Sequence, residues 1–322
     1  MRTGKELILA TKEYVKEDKA KSWFHIVVTL IMMGGFLTLT TLPINIFIRI
    51  GASIFAGFSI VRMFIIYHDF LHKNILHKNL LATIIMKTYG ILVLTPPSIW
   101  KRTHDYHHKH NSKLFSASVG SYPVMTKNKF LQATPREKFE YLAVRHPLTI
   151  LFGYITMFVY GMCIQSFMAD RKKHWDALIA LSLHAVFIGL ALYLSGWVTL
   201  VLAILLPSFV SSAIGSYLFY AQHNFPGAIY NSNEDWNYLD AALGSSSYMV
   251  MPPVVQWFTC NIGLHHIHHV NAHIPFYRLP EVMKKFPEFQ HPHTTSLSPA
   301  EIWRCLRLKL WDVEKHRMVG LA

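Results

Sequence analysis

Charge is scarce in this chain. Only 15% of its 322 residues are Asp, Glu, Lys or Arg, against about 25% in a typical soluble domain, and residues 23–67 contain no acidic side chain. That deficit argues against a soluble globular protein and for one that meets a bilayer. Cysteine is scarce as well: Cys163, Cys260 and Cys305 lie far apart and form no CxxC pair. This excludes a disulfide framework and a thiolate zinc site, and fits a reducing compartment. The N-terminus lacks the short apolar core and small-residue cleavage site of a signal peptide, so it is expected to stay in the cytosol. Solenoid repeats, heptads and low-complexity tracts are also missing.

What is present is apolar, basic and rich in histidine. Apolar residues make up 52% and aromatics 14%, and the formal charge is +13. The basic residues are scattered between apolar segments, which excludes a nucleic-acid-reading domain and suits the cytoplasmic face of a membrane. Residues 23–43 and 44–67 are each long enough to cross a bilayer, which takes about 20 residues, and Pro43 and Asn45 break them into a hairpin. Arg49 and Arg62 lie within the second run, where they either snorkel or face inward. A shorter run at 80–97 holds Lys87, ends on two prolines and is expected to be interfacial or re-entrant. Runs at 147–168, 175–194 and 196–220 follow. After residue 221 no long apolar run occurs, and 245–258 has the look of an amphipathic surface piece.

Three histidine clusters stand out. "HDFLH" places His68 and His72 four apart, "HDYHH" places His104, His107 and His108 at i, i+3 and i+4, and "HHIHH" repeats that spacing with His265, His268 and His269. Helical positions three and four apart share a face, so each set can aim its nitrogens at one point. His223, in "YAQHNFPG", sits where the last apolar run ends. Groups that share a site must lie on one side of the membrane. From a cytosolic N-terminus this requires 23–67 to cross twice, 80–97 not to cross, and two of the three later runs to cross. The basic stretch at 170–175 belongs inside, so 175–194 and 196–220 are expected to cross and 147–168 to stay shallow.

Eight or nine imidazoles suggest two metals, because zinc takes only three or four protein ligands, and imidazole suits iron, copper, nickel and zinc alike. The boxes contain no glutamate, unlike the ExxH pairs of soluble di-iron bundles, so a di-iron site here is of an all-nitrogen type. Asp69 and Asp105 are either acceptors that orient ligating imidazoles or ordinary surface carboxylates. Asn261 either holds a metal-bound water or caps a helix, and His266 and His273, beside the third cluster but out of its spacing, either support the ligating imidazoles from behind or play no part. His25 and His184 read as packing residues, while His77, His110, His174, His291 and His293 read as solvated.

Together these residues resemble the membrane-bound fatty acid desaturase superfamily. The likeness covers nearly the whole chain: paired spans, "HDFLH", a short interfacial run, "HDYHH", further spans, then "NIGLHHIHH" followed by "IPFYRL". The last stretch looks most like bacterial and cyanobacterial acyl-lipid desaturases of the Δ12 or ω-6 type. Phe70 and Leu71 depart from the small residues common between the first-box histidines of relatives.

The resemblance implies two non-haem irons held by the boxes and by an extra histidine that His223 matches. It also implies O2 as co-substrate, a fatty acyl or membrane-lipid substrate, and an electron donor such as ferredoxin or cytochrome b5. The expected architecture is an all-α integral membrane protein with about four transmembrane helices, interfacial helices and a cytosolic cap carrying the boxes, in a bacterial inner membrane. As one domain, 1–322, it divides into a cytosolic N-terminus (1–22), a membrane hairpin (23–67), a cytosolic section with the first two boxes (68–146), membrane segments (147–220) and a cytosolic section with the third box (221–322). Two rivals remain open: a related lipid or carotenoid hydroxylase or ketolase, and a histidine-rich metal transporter. A transporter should carry polar or acidic ligands inside its spans, and 23–67 has no acidic residue.

Overall fold

The computed structural model describes residue 2 and residues 4–114, 122–232 and 234–321. Residues 115–121, part of the section expected to be cytosolic, lie outside the described residues. Helix dominates, and among the described residues three helical stretches are long and apolar enough to cross a membrane.

The first two form an antiparallel hairpin, α1 (Lys19–Thr41) and α2 (Ile46–Leu71). Asp18 accepts from the Lys21 amide to cap α1, and Asn45 accepts from the Phe47 amide to cap α2, satisfying amides that a helix start leaves free. The two helices differ in surroundings. α1 is largely exposed along its length, whereas every residue of α2 from Val61 to Phe70 is buried. That buried end delivers His68 to the interior.

Next come α3 (Leu80–Leu92) and α4 (Pro97–His110), bent by 90° across the break between them. Pro96 and Pro97 start the new helix because proline cannot continue the old one but suits a first turn. The corner is tight: the Tyr67 hydroxyl donates to the Thr95 carbonyl, and a Cβ on Gly90 would stand 2.5 Å from that hydroxyl. The bend returns the chain to the level it left, since the α4 residue His104 meets His68 of α2.

A π-type helix, α5 (Tyr154–Gln165), precedes α6 (Trp175–Leu200) and α7 (Leu206–Ala221). Residues 175–221 pass as one 47-residue apolar helix, which if straight would measure about 70 Å, more than twice a bilayer core of ~30 Å. It is not straight. Gly196 has φ 75° and ψ 176°, a conformation glycine tolerates without steric cost. Asp176 at the start of α6 accepts from Ser98 of α4, and His223 just beyond α7 meets His107 of α4. Between them, Thr199 accepts from Arg49 near the opposite end of the α2 helix. The segment therefore runs away from the histidines and comes back.

The fold is not purely helical. Short strands β1 (Met125–Thr126), β2 (Tyr248–Val250), β3 (Thr294–Ser296), β4 (Leu310–Asp312) and β5 (Arg317–Val319) form two small sheets. β4 pairs parallel with β1 and antiparallel with β5, and β2 pairs parallel with β3. The chain after residue 221 lacks long apolar runs, so short backbone ladders take over the pairing of its amides. This modifies the all-α expectation, and it makes part of 245–258 a strand.

Candidate metal centre

The short helix α8 (His265–Val270) carries the third box, and all six of its residues are buried. It meets α2, α4 and the turn after α7 so that nine imidazoles converge in two groups. His68, His72, His104, His108 and His268 form one; His107, His223, His265 and His269 form the other. Each of the two HxxHH boxes is split between them. The i and i+4 members, His104 and His108, join the first group while His107 joins the second; in α8, His265 and His269 join the second while His268 joins the first. The expectation of one target per box is thereby corrected: sharing a helix face leaves room for two adjacent targets.

Within the first group, Nε2 atoms follow one another at 3.2 Å (His72 to His68), 2.8 Å (His68 to His104), 3.0 Å (His104 to His108) and 3.1 Å (His108 to His268). In the second, His107 to His223 is 3.0 Å, His223 to His265 is 2.9 Å and His265 to His269 is 3.1 Å. The opposite ring nitrogen explains why Nε2 is a bare lone pair. His68 Nδ1 donates to Asp69 Oδ1 at 3.2 Å, and His223 Nδ1 donates to the Ser245 carbonyl at 2.8 Å. Such partners fix the tautomer and aim the other nitrogen inward. Nδ1 of His108 and of His265 is buried with no partner among the described residues.

Burial, reinforced by neighbouring imidazoles, pushes His72, His104, His107, His108, His265, His268 and His269 well below the ordinary histidine value. Burial lowers His223 to about 4. These rings are neutral at pH 7, as ligands must be. Lone pairs facing each other at such distances repel unless a cation lies between them. Imidazole nitrogens bound at about 2.0–2.2 Å to one ion in neighbouring positions stand ~3 Å apart, which matches the observed spacing. The donor set fits two ions held by nitrogen alone.

The other expected site residues fall in different places. Asp69 is buried, and its second oxygen accepts from the Phe276 amide at 2.7 Å, tying α2 to the loop after α8. Asp105 is half-exposed and pairs with Lys101, leaving it the surface carboxylate of the two alternatives. Asn261 turns away from the histidines: its amide donates to the Phe276 carbonyl and its oxygen accepts from Gln256. His266 also faces away, toward the Phe289 carbonyl at 3.3 Å. His174 is buried, not solvated, and its Nδ1 lies 3.0 Å from Ser98 Oγ, because the start of α6 is packed on the start of α4. His184 packs with its Nε2 on the Tyr154 hydroxyl. Arg62 faces inward and is buried.

Sequence reasoning missed the lining of an apolar pocket beside the two groups. Ile60, Phe64, Ile65, Phe158, Gly215 and Leu218 form its walls, and His68, His104 and His265 open onto it, so both groups touch it. A second cavity shares Ile60, Tyr89, Val93, Ser211 and Ser212 with the first and continues to Met33 and Leu37 of α1 and Phe187 of α6. These residues sit inside long apolar runs, where no period or spacing separates a cavity wall from ordinary packing.

Comparison with known proteins agrees with this geometry. The family model described as "Fatty acid desaturase" matches residues 44–299. The chain is 26% identical to a "Fatty acid desaturase" of Bacillus subtilis (strain 168), covering 98% of this chain and 90% of that protein. It is 22% identical to the "sn-1 oleoyl-lipid 12-desaturase" of Anabaena variabilis, over 83% of this chain and 77% of the relative. It is likewise 22% identical to the "sn-1 acyl-lipid omega-3 desaturase (ferredoxin)" of Nostoc sp. (strain 36), over 67% of this chain and 61% of the relative.

Proposed function

The chain belongs to the fatty acid desaturase family, and from that membership we propose that it introduces a cis double bond into an acyl chain of a membrane lipid, using two irons held by the nine histidines. The balance is R–CH2–CH2–R′ + O2 + 2 electrons + 2 H⁺ giving R–CH=CH–R′ + 2 H2O. Iron, when bound, supplies the oxidising power toward unactivated methylenes that side chains lack. The observation that carries the reading is the apolar pocket onto which His68 and His104 of one group and His265 of the other all open.

His68, His72, His104, His108 and His268 hold one iron; His107, His223, His265 and His269 hold the other. Asp69 keeps the proton of His68 on Nδ1, and the Ser245 carbonyl does the same for His223. The pocket excludes water from the reacting carbons and fixes them against the histidine groups. A misplacement of about 1 Å can lower the rate ~100-fold, so the pocket walls select which carbons react. Its continuation toward Phe187 and Leu37 lodges the rest of the chain.

Four crossings are proposed: α1, α2 and the two arms of 175–221 folded at Gly196. The α3–α4 bend and the π-type helix begin and end on the histidine side without crossing. That side is cytosolic, in a bacterial inner membrane, with the basic surface turned toward an acidic electron carrier. Ferredoxin is favoured over cytochrome b5, because a relative's own name specifies ferredoxin. The single domain is divided at the boundaries drawn from the sequence.

Expression in cells with a suitable donor tests the reading. Mass spectrometry of total lipid should find acyl chains lighter by two hydrogens. A gain of one oxygen would instead make the enzyme a hydroxylase, and an unchanged acyl profile would sink the proposal. Replacing Gly215 with leucine would push a side chain into the pocket and should shorten or shift the products.

A further inference from the structure

A second pocket lies outside the acyl cavity, lined by Lys21 and His25 of α1, Arg62 of α2, and Gln256, Trp257 and Tyr277 from the chain around α8. Its charges are of one sign. Lys21 and Arg62 are cationic, and no carboxylate lines the pocket among the described residues; Asp18, the nearest acidic residue along α1, is engaged in capping the Lys21 amide. Arg62 is 2% exposed. Its Nε donates to Thr29 Oγ1 at 3.1 Å, Nη1 donates to the Trp257 carbonyl, Nη2 donates to His25 Nδ1 at 2.9 Å, and its carbon lies 3.6 Å from the centre of the Trp257 ring. A guanidinium has five N–H donors, so two remain beyond these three bonds.

A buried cation without a counter-charge is costly, and a partner must compensate it. Because Arg62 can only donate, His25 Nδ1 is the acceptor and its proton sits on Nε2. His25 thus carries a further N–H on Nε2. Arginine, a lysine one helical turn from His25 and a neutral imidazole donor together make a set suited to phosphate oxygens. The surroundings indicate what carries the phosphate. Trp257 of the lining is exposed, as are Phe24, whose ring centre lies 5.5 Å from that of His25, and Val254, which follows the lining residue Pro253; these apolar side chains suit acyl tails, and Lys21 stands in the first turn of a helix long and apolar enough to cross a membrane.

We propose that this pocket binds the phosphodiester headgroup of an anionic membrane lipid, a second lipid distinct from the one whose chain is desaturated. The site uses neither the metals nor the acyl cavity, so its test is independent of the catalytic reading. Purified protein would be titrated with short-chain phosphatidylglycerol, with short-chain phosphatidylcholine and with inorganic phosphate, following thermal unfolding and native mass spectrometry. Phosphatidylglycerol should raise the unfolding midpoint and remain bound. Phosphatidylcholine and inorganic phosphate should each bind at least 10-fold more weakly.

Lys21→Glu, at an exposed position where misfolding is not expected, should weaken phosphatidylglycerol about 10-fold while iron content stays unchanged. Arg62→Gln should abolish the binding. Should Arg62→Gln fail to fold, Lys21→Glu and His25→Phe decide the matter. Equal binding of phosphatidylglycerol to Lys21→Glu and to the unaltered protein would overturn the proposal. So would phosphatidylcholine matching phosphatidylglycerol, or inorganic phosphate matching the lipid, which would make this a free-phosphate site.

Discussion

The two histidine groups have the same chemistry and different surroundings. The five-membered group is buried throughout, and His68 within it is braced by the buried carboxylate of Asp69, which also ties α2 to the Phe276 amide. The four-membered group includes half-buried His223, braced only by a backbone carbonyl. His107 and His223 also border a polar cavity with His110, Lys113 and Tyr122. The first group is charge-braced and sealed from that polar cavity, opening instead on the apolar pocket; the second has a polar side door. Two sites of similar ligand count thus differ in how firmly they should hold a metal and how fast they should exchange it.

The largest effect should come from emptying the sealed group. His104→Ala removes the ring whose Nε2 stands between those of His68 and His108 and also opens onto the acyl pocket, and should reduce desaturation by more than about 100-fold. Iron analysis should show at least one equivalent lost per chain. Retention of full activity with expression confirmed would break the shared-site reading. His223→Ala should also abolish turnover, yet leave the iron of the sealed group in place, a difference that iron counting can resolve.

A graded effect is expected for the brace. Asp69→Asn keeps the shape and removes the charge, and loss of such a partner typically lowers metal affinity about 10–100-fold. Chelator challenge of the Asp69→Asn protein should strip the five-histidine site preferentially. In the unaltered protein the order should reverse, with the four-histidine site emptying first through its polar cavity. A single-phase loss of both irons would remove the distinction.

Acidification tests the groups together. In the folded chain His72, His104, His107, His108, His265, His268 and His269 lie well below the ordinary 6.5, because burial opposes the charged form. His223 lies at about 4 for the same reason. The stability they contribute is therefore complete above about pH 6.5 and is lost as pH falls toward 4, since the unfolded chain takes up protons that the folded chain refuses. Unfolding midpoints of metal-free protein measured between about pH 7.5 and 4 should fall along this window. The smallest effects belong to residues outside the comparison. Asp105→Asn, which loses only the surface pair with Lys101, and His291→Ala, at an exposed position, should change activity less than about twofold.

Much of the site was legible in the chain itself because ligand chemistry leaves local marks. The boxes announce themselves by helical spacing, and the requirement that they share one side of a membrane made 80–97 an interfacial or re-entrant segment by expectation; there the chain bends by 90° between α3 and α4. Asp69 and Asp105 occupy equivalent places after the first histidine of their boxes, yet one is buried on His68 and the other pairs with Lys101. No local pattern distinguishes them, since burial depends on which elements pack over a residue. His174 departs from the solvated expectation for the same reason: its basic neighbourhood in sequence becomes a buried contact where α6 docks on Ser98.

By itself the sequence determined which atoms are available: eight imidazoles at spacings that put each box on one helical face, a ninth where the last apolar run ends, and apolar runs long enough to cross a bilayer. Those properties are fixed by side-chain chemistry and by the period of a helix. Only the tertiary structure decided how the nitrogens are shared, with each HxxHH box divided between two groups, and where the apolar pocket and the cationic pocket lie. These depend on the angles at which distant helices cross, and a crossing angle is set by the packing of both partners together.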